Sequence, residues 1–193
     1  VADSIQEHAF ENLRVIRDAM ERAGSFTSIP GWGGFIIGLT ALGATFIAAA
    51  RVTEPRAWLN VWLIEAGVAS VIGAVTIWRK WRSTATPFMS GAARRFFISY
   101  FAPMIAGAIL TPTIAHRGAF DVLPSLWLLL YGTAFVSSGA FSIRVIPVMG
   151  LCYMALGVVA AMVRLPVGNI ILGAGFGLLH VVFGLIIARR YGG

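Results

Sequence analysis

After a polar stretch of about thirty residues, the chain becomes a succession of apolar runs parted by short polar or basic interruptions. The runs lie near 33–50, 57–78, 96–115, 123–142, 146–163 and 170–188. Each approaches the roughly 20 residues that a helix needs to cross the hydrocarbon core of a bilayer. The runs are continuous and do not alternate in ten-residue units, which predicts helices and not the strands of a barrel. Only Ile143-Arg144-Val145 separates the fourth run from the fifth, and Pro147 supports a helix start there because its fixed φ and missing N–H suit a first turn. The pattern therefore predicts an all-α polytopic membrane protein with six transmembrane helices over 33–193.

The first 24 residues have a different pattern. Ser4-Ile5-Gln6-Glu7 has the form of a capping box, and Ala9, Leu13, Ile16, Met20 and Ala23 then recur on one helical face. The pairs Arg14–Asp18, Arg17–Glu21 and Asp18–Arg22 support a helix at i, i+4 spacing. Gly24 ends it, and 25–32 forms a linker into the membrane. An apolar h-region is missing, so this is no signal peptide. Its polar face is slightly acidic and lacks lysine, which suits a membrane surface poorly. Two readings are open: a cytoplasmic amphipathic helix docked on its own membrane body, or a docking helix for a partner or second copy through Leu13, Ile16 and Met20.

Composition narrows the class. The chain of 193 residues is 58% hydrophobic and 12% charged, with a mean hydropathy of +0.83. Soluble domains carry about 25% charged residues, so too little polar surface is available to cover a globule in water. The single Cys152 excludes a disulfide scaffold. The net charge of +7 raises the question of nucleic acid, but the basic residues sit between apolar runs, as topology signals do, so no nucleic-acid partner is expected. One side of the expected bundle holds Arg14, Arg17, Arg22, Arg79, Lys80, Arg82, Arg94, Arg95, Arg144, Arg189 and Arg190; the other holds Arg51, Arg56, Arg117 and Arg164. Eleven against four predicts a multi-pass protein of a bacterial plasma (inner) membrane with both termini in the cytoplasm. Trp32, Trp81 and Tyr191 then suit the inner interface, Trp58 and Trp127 the outer.

The spans also suggest three related hairpins. Ala41-Leu42-Gly43 with Arg51 in the first ascending helix matches Ala155-Leu156-Gly157 with Arg164 in the third, and the middle one offers Ala106-Gly107 and Arg117. Descending helices share a glycine followed by a cation: Gly73 and Arg79, Gly139 and Arg144, Gly184 and Arg189. In spacing, residues 33–190 resemble the three-hairpin architecture of HdeD-like membrane proteins, and the chain also looks like other small polytopic proteins of bacterial membranes. That resemblance implies a six-helix fold and no catalytic residue.

Candidate chemistry is sparse. Glu65 lies seven residues past Trp58, about 10 Å below the outer boundary, where an ionisable group costs about 2.5–3.5 kcal/mol and needs a partner. Ala69, Gly73 and Thr76 continue its face as a small-residue stripe. His180 lies about 15 Å into the last span, and in a regular helix it shares a face with Gly173, Gly177 and Gly184, of which the first two form a GxxxG pair. Similar depths predict that Glu65 and His180 pair, with Tyr131, Ser138 and Tyr153 as further members of a polar site that is either a buried clasp or a proton- or cation-responsive centre. Tyr100, Pro103 and Pro112 mark a kink in the third span. Asn60 and Asn169 are expected to be solvated or capping near the outer ends, and His116, Arg117 and Asp121 to form a solvated turn with too few ligands for a metal.

No HExxH, GxSxG or Walker sequence appears, and the glycines of 173–177 lie inside a span, so no enzyme activity and no cofactor are expected. Two functions remain: a non-catalytic membrane protein acting as a homo-oligomer or as an accessory or regulatory subunit, with the lipid bilayer and other membrane subunits as partners; or a small transporter, channel or pH-linked solute-binding protein centred on Glu65 and His180.

Overall fold

A computed structural model of the chain describes residues 11–14, 16, 29–82 and 91–191. Residues 11–14 and 16 are helical, and Leu13 and Ile16 are 62% and 54% exposed. The expected capping box, Met20 and Gly24 lie outside the described residues. Six helices come next: α1 (Gly31–Ala49), α2 (Pro55–Arg82), α3 (Gly91–His116), α4 (Leu123–Gly139), α5 (Val145–Ala160) and α6 (Leu165–Tyr191). No strand occurs among the described residues. By length and composition α1, α2, α3, α6 and α4 with its leading 3-10 turn (Phe120–Val122) can cross a membrane, whereas α5 has 16 residues. The all-helical expectation holds, and the bundle fits a membrane-embedded protein.

Helix ends reflect local chemistry. α2 continues past its apolar run through Arg79, Lys80 and Arg82, cations that favour a helix C-terminus. Pro103 and Pro112 lie inside α3, each lacking the N–H that would bond four residues back. The Ser99 carbonyl left by Pro103 accepts a hydrogen bond from Ser137 Oγ of α4 at 3.1 Å, so the neighbouring helix repairs the ladder. Gly118, at φ +73°, turns the chain after α3 in the left-handed conformation that glycine adopts without strain.

Two antiparallel seams hold the bundle, and glycines spaced seven apart build both. On α1 and α6 these are Gly31/Gly38 and Gly177/Gly184; on α4 and α5 they are Gly132/Gly139 and Gly150/Gly157. Seven residues are nearly two full turns, so both members of a pair face the same neighbour. A methyl group added at Gly132 would lie 2.7 Å from the Gly150 carbonyl oxygen, and one at Gly38 would lie 2.7 Å from that of Gly177. The backbones are therefore in direct van der Waals contact, the main source of helix association where lipid is as apolar as leucine. Of the glycines expected to pack helices, Gly173, Gly177 and Gly184 do so against α1. Gly73 does not need its missing side chain, since only the Ile37 terminal methyl approaches it, at 3.9 Å.

The last helix packs more extensively on the first than on α5, and no comparable seam joins α2 to α3. α1 lies between α2 and α6: Gly33 meets Thr76, Thr40 meets Glu65, and Leu42 meets Gly177. The α3–α4 pair completes the bundle through Tyr100, Phe135 and Tyr131.

One expected interface anchor is corrected. Trp58 is fully buried and stacks on Trp127 at 5.8 Å, joining α2 to α4 inside the bundle. Trp32 and Tyr191, by contrast, are exposed at the other end.

Gly132→Ala should overpack the α4–α5 seam and cost about 1–3 kcal/mol. Gly43→Ala, where a methyl meets nothing within 4 Å, should cost nothing. Thermal midpoints of the two purified variants in one detergent test this; equal midpoints would overturn the seam as the source of stability.

Candidate functional site

The polar side chains inside the bundle form two separate knots and one isolated pair. The first knot surrounds His180. Its Nδ1 lies 2.9 Å from the Phe176 carbonyl oxygen and 2.6 Å from the Tyr153 hydroxyl, and its Nε2 lies 2.9 Å from the Tyr131 hydroxyl. The roles of the two ring nitrogens follow the tautomer: with the proton on Nδ1, the Phe176 carbonyl accepts it and Nε2 accepts from Tyr131; with the proton on Nε2, Tyr131 accepts and Tyr153 donates to Nδ1. Tyr131 comes from α4 and Tyr153 from α5, so the imidazole of α6 ties three helices together. Phe176 and Phe135 complete an aromatic box, with Tyr131 and Phe135 rings edge to face at 4.6 Å.

A π-helical turn over Gly173–Leu179 immediately precedes this histidine. Gly173, Gly177 and Val181 stay against α1, whereas His180 swings into α4 and α5. The expectation that His180 shares the glycine face is overturned: Gly173, Gly177 and Gly184 meet α1, whereas the imidazole meets Tyr131 of α4 and Tyr153 of α5.

Glu65 does not pair with His180. Its Oε1 accepts from Thr40 Oγ1 at 2.8 Å, and that hydroxyl also approaches the Ile37 carbonyl oxygen at 2.9 Å. One hydroxyl proton thus serves two acceptors. The two side chains turn to different neighbours: Glu65 to Thr40 of α1, and His180 to Tyr131 of α4 and Tyr153 of α5. The stripe that continues Glu65 does pack on α1, through Thr76 against Gly33. Ser138 is fully buried, but its Oγ has no hydrogen-bond partner among the described residues, so it does not join the histidine knot.

The second knot went unrecognised in the sequence pattern. Asn169 is fully buried, and its Oδ1 accepts from both Trp58 Nε1 at 2.9 Å and Trp62 Nε1 at 3.0 Å. Its Nδ2 donates to the Thr45 carbonyl oxygen at 3.1 Å. One amide therefore satisfies two indole donors and joins α6 to α2 and α1. Through the Trp58–Trp127 stack the network reaches Thr111 of α3, whose hydroxyl accepts from Trp127 Nε1 at 2.9 Å. A solvated or capping role for Asn169 is overturned: two tryptophans one helical turn apart on α2 needed a common acceptor, and the helix start at Leu165 brings Asn169 to them. Asn60 is exposed, as expected. Asp121 is more than part of a solvated turn, since its Oδ1 accepts from the Leu165 N–H at 2.7 Å and caps α6 from the α3–α4 loop.

Among the described residues no three His, Cys, Asp or Glu side chains converge as metal ligands would. Fold and knots together define a class: a polytopic helical bundle, fit for a membrane, with its polar groups engaged between helices. No family model, curated protein or solved structure matches the chain.

Asn169→Leu should leave two buried indole N–H groups without an acceptor, at about 1–3 kcal/mol each. A lower thermal midpoint with altered tryptophan emission is expected; an unchanged midpoint would show the knot to be energetically idle.

Proposed function

We propose that this chain is a non-catalytic integral membrane protein that acts as an accessory or regulatory subunit, docking through its N-terminal helix onto a second copy or another membrane subunit. One observation carries this reading. Two buried polar side chains at membrane depth, His180 and Asn169, each join three helices through their hydrogen bonds. The exposed Leu13 and Ile16 on their helical segment supply an apolar contact for the docking role. The placement proposed is a bacterial plasma membrane with six crossings and both termini cytoplasmic. It is supported by the gathering of Arg79, Lys80, Arg82, Arg94, Arg95, Arg144, Arg189 and Arg190 at one end of the bundle, against Arg51, Arg56, Arg117 and Arg164 at the other.

Replacing both Leu13 and Ile16 by Asp should reduce the assembly seen for the full chain in bilayer nanodiscs to a single copy while leaving helical circular dichroism unchanged. A wild-type chain that is already single and partnerless, or a variant that assembles equally, would overturn the docking role.

A second reading, a pH-linked protein, is favoured by the Tyr131–His180–Tyr153 arrangement alone. An imidazolium there would find acceptors at both nitrogens after rotation of the hydroxyls: Tyr131 at Nε2, and Phe176 with Tyr153 at Nδ1. The pH dependence of the thermal midpoint in wild type and His180→Gln tests it. Different profiles are expected on this reading, and superimposable ones exclude it.

A further inference from the structure

The strongest unused feature is the outer flank of α2 and α3. These two helices are consecutive in sequence, yet they lack the glycine seam that closes α4 on α5 and α6 on α1. Ile77 of α2 packs against the Ala93–Phe96 cluster of α3. On α2 the exposed residues Ile64, Val68, Val71, Val75 and Trp78 recur at spacings of 4, 3, 4 and 3, and the same stripe ends on Arg82. On α3 the exposed Ile98, Phe101, Ile105 and Ile109 form a second stripe that begins one turn after Arg94. Each apolar stripe thus has an arginine at its foot, and both feet lie at the same end of the bundle.

Charge singles out this flank further. Arg79, Arg82, Arg94 and Arg95 are all exposed there. The Arg82 guanidinium lies over the Trp78 ring at 4.9 Å, and that of Arg95 over Phe141 at 5.4 Å, which holds both heads at the level where the apolar stripes end. Lys80 is engaged otherwise, donating to the Ile29 carbonyl oxygen at 3.0 Å. From residue 66 to the end of the chain the only carboxylate side chain is Asp121, which sits at the opposite end on α6. α3 carries no acidic side chain, and the one on α2, Glu65, lies fourteen residues before Arg79 and is engaged by Thr40.

We propose that the α2–α3 flank is a binding site for an anionic phospholipid, with acyl chains along the two stripes and the phosphate headgroup on Arg79, Arg82, Arg94 and Arg95. Guanidinium groups suit a phosphate because their planar donors match its oxygens in pairs. A basic cluster between membrane helices on the cytoplasmic side is where anionic headgroups collect. The proposal rests on the membrane reading of the fold and is independent of the docking role of the N-terminal helix. Failure of the membrane reading would show separately, as full-length protein recovered without detergent.

The test is native mass spectrometry of the full chain in detergent with added phosphatidylglycerol or phosphatidylcholine. Phosphatidylglycerol should be retained and phosphatidylcholine stripped. Replacing Arg82, Arg94 and Arg95 by Gln should weaken phosphatidylglycerol binding about a hundredfold, at roughly fivefold per charge. The same change at Arg51, Arg56 and Arg117, at the other end, should leave it intact. Equal retention of the two lipids, or equal loss in both triple variants, overturns the site. Should the first variant fail to fold, a photoactivatable phosphatidylglycerol on the wild-type chain decides: cross-links on 64–82 and 94–109 support the site, and cross-links elsewhere or spread evenly overturn it.

Discussion

Backbone-to-backbone contact at glycine is the constraint on which the rest of this bundle depends. Water drives no helix together inside hydrocarbon, so helices associate by filling space and by hydrogen bonds. At Gly132 against Gly150, and at Gly38 against Gly177, even one methyl would intrude on a carbonyl oxygen of the facing helix. Those contacts set the closeness of α4 to α5 and of α1 to α6. They also explain why the last helix prefers the first, since Gly177 and Gly184 meet Gly31, Gly34, Phe35 and Leu42 of α1. Beside α1 so placed, Glu65 of α2 is engaged by Thr40.

The polar knots act on top of this scaffold. The His180 knot lies where α4, α5 and α6 converge, and the Asn169 knot where α1, α2 and α6 converge, so α6 is common to both. A buried donor left unpaired is costly, which gives each knot a say in helix order beyond its modest net energy. One helix serves both, with Asn169 before the π turn and His180 directly after it, while its glycines meet α1. Repair of the Pro103 gap by Ser137 obeys the same rule, a freed carbonyl being satisfied from the neighbouring helix.

Much of the fold was legible in the pattern of apolar runs. The six helices stand where those runs predict, and basic residues gather at one end as their distribution implies. The membership of His180, Tyr131 and Tyr153 in one polar group was legible too, because an intramembrane imidazole must find partners. The pairing of Glu65 with His180 was not, because depth along a span says nothing about which neighbour a side chain faces. Asn169 was misjudged because its position near a helix end suggests water, whereas two tryptophans from another helix had claimed it.

The amino-acid sequence by itself determined the helices, their apolar character and the segregation of charge, because each depends on runs of neighbouring residues. Only the tertiary structure decided who touches whom: the closure of α6 on α1, the separation of Glu65 from His180, the burial of Trp58, and the open flank of α2 and α3. Those outcomes depend on rotation about each helix axis and on the order of helices around the bundle. Glycine-to-carbonyl contacts fix both along the α1–α6 and α4–α5 seams. Neither leaves a signature in the hydrophobic period of a single segment.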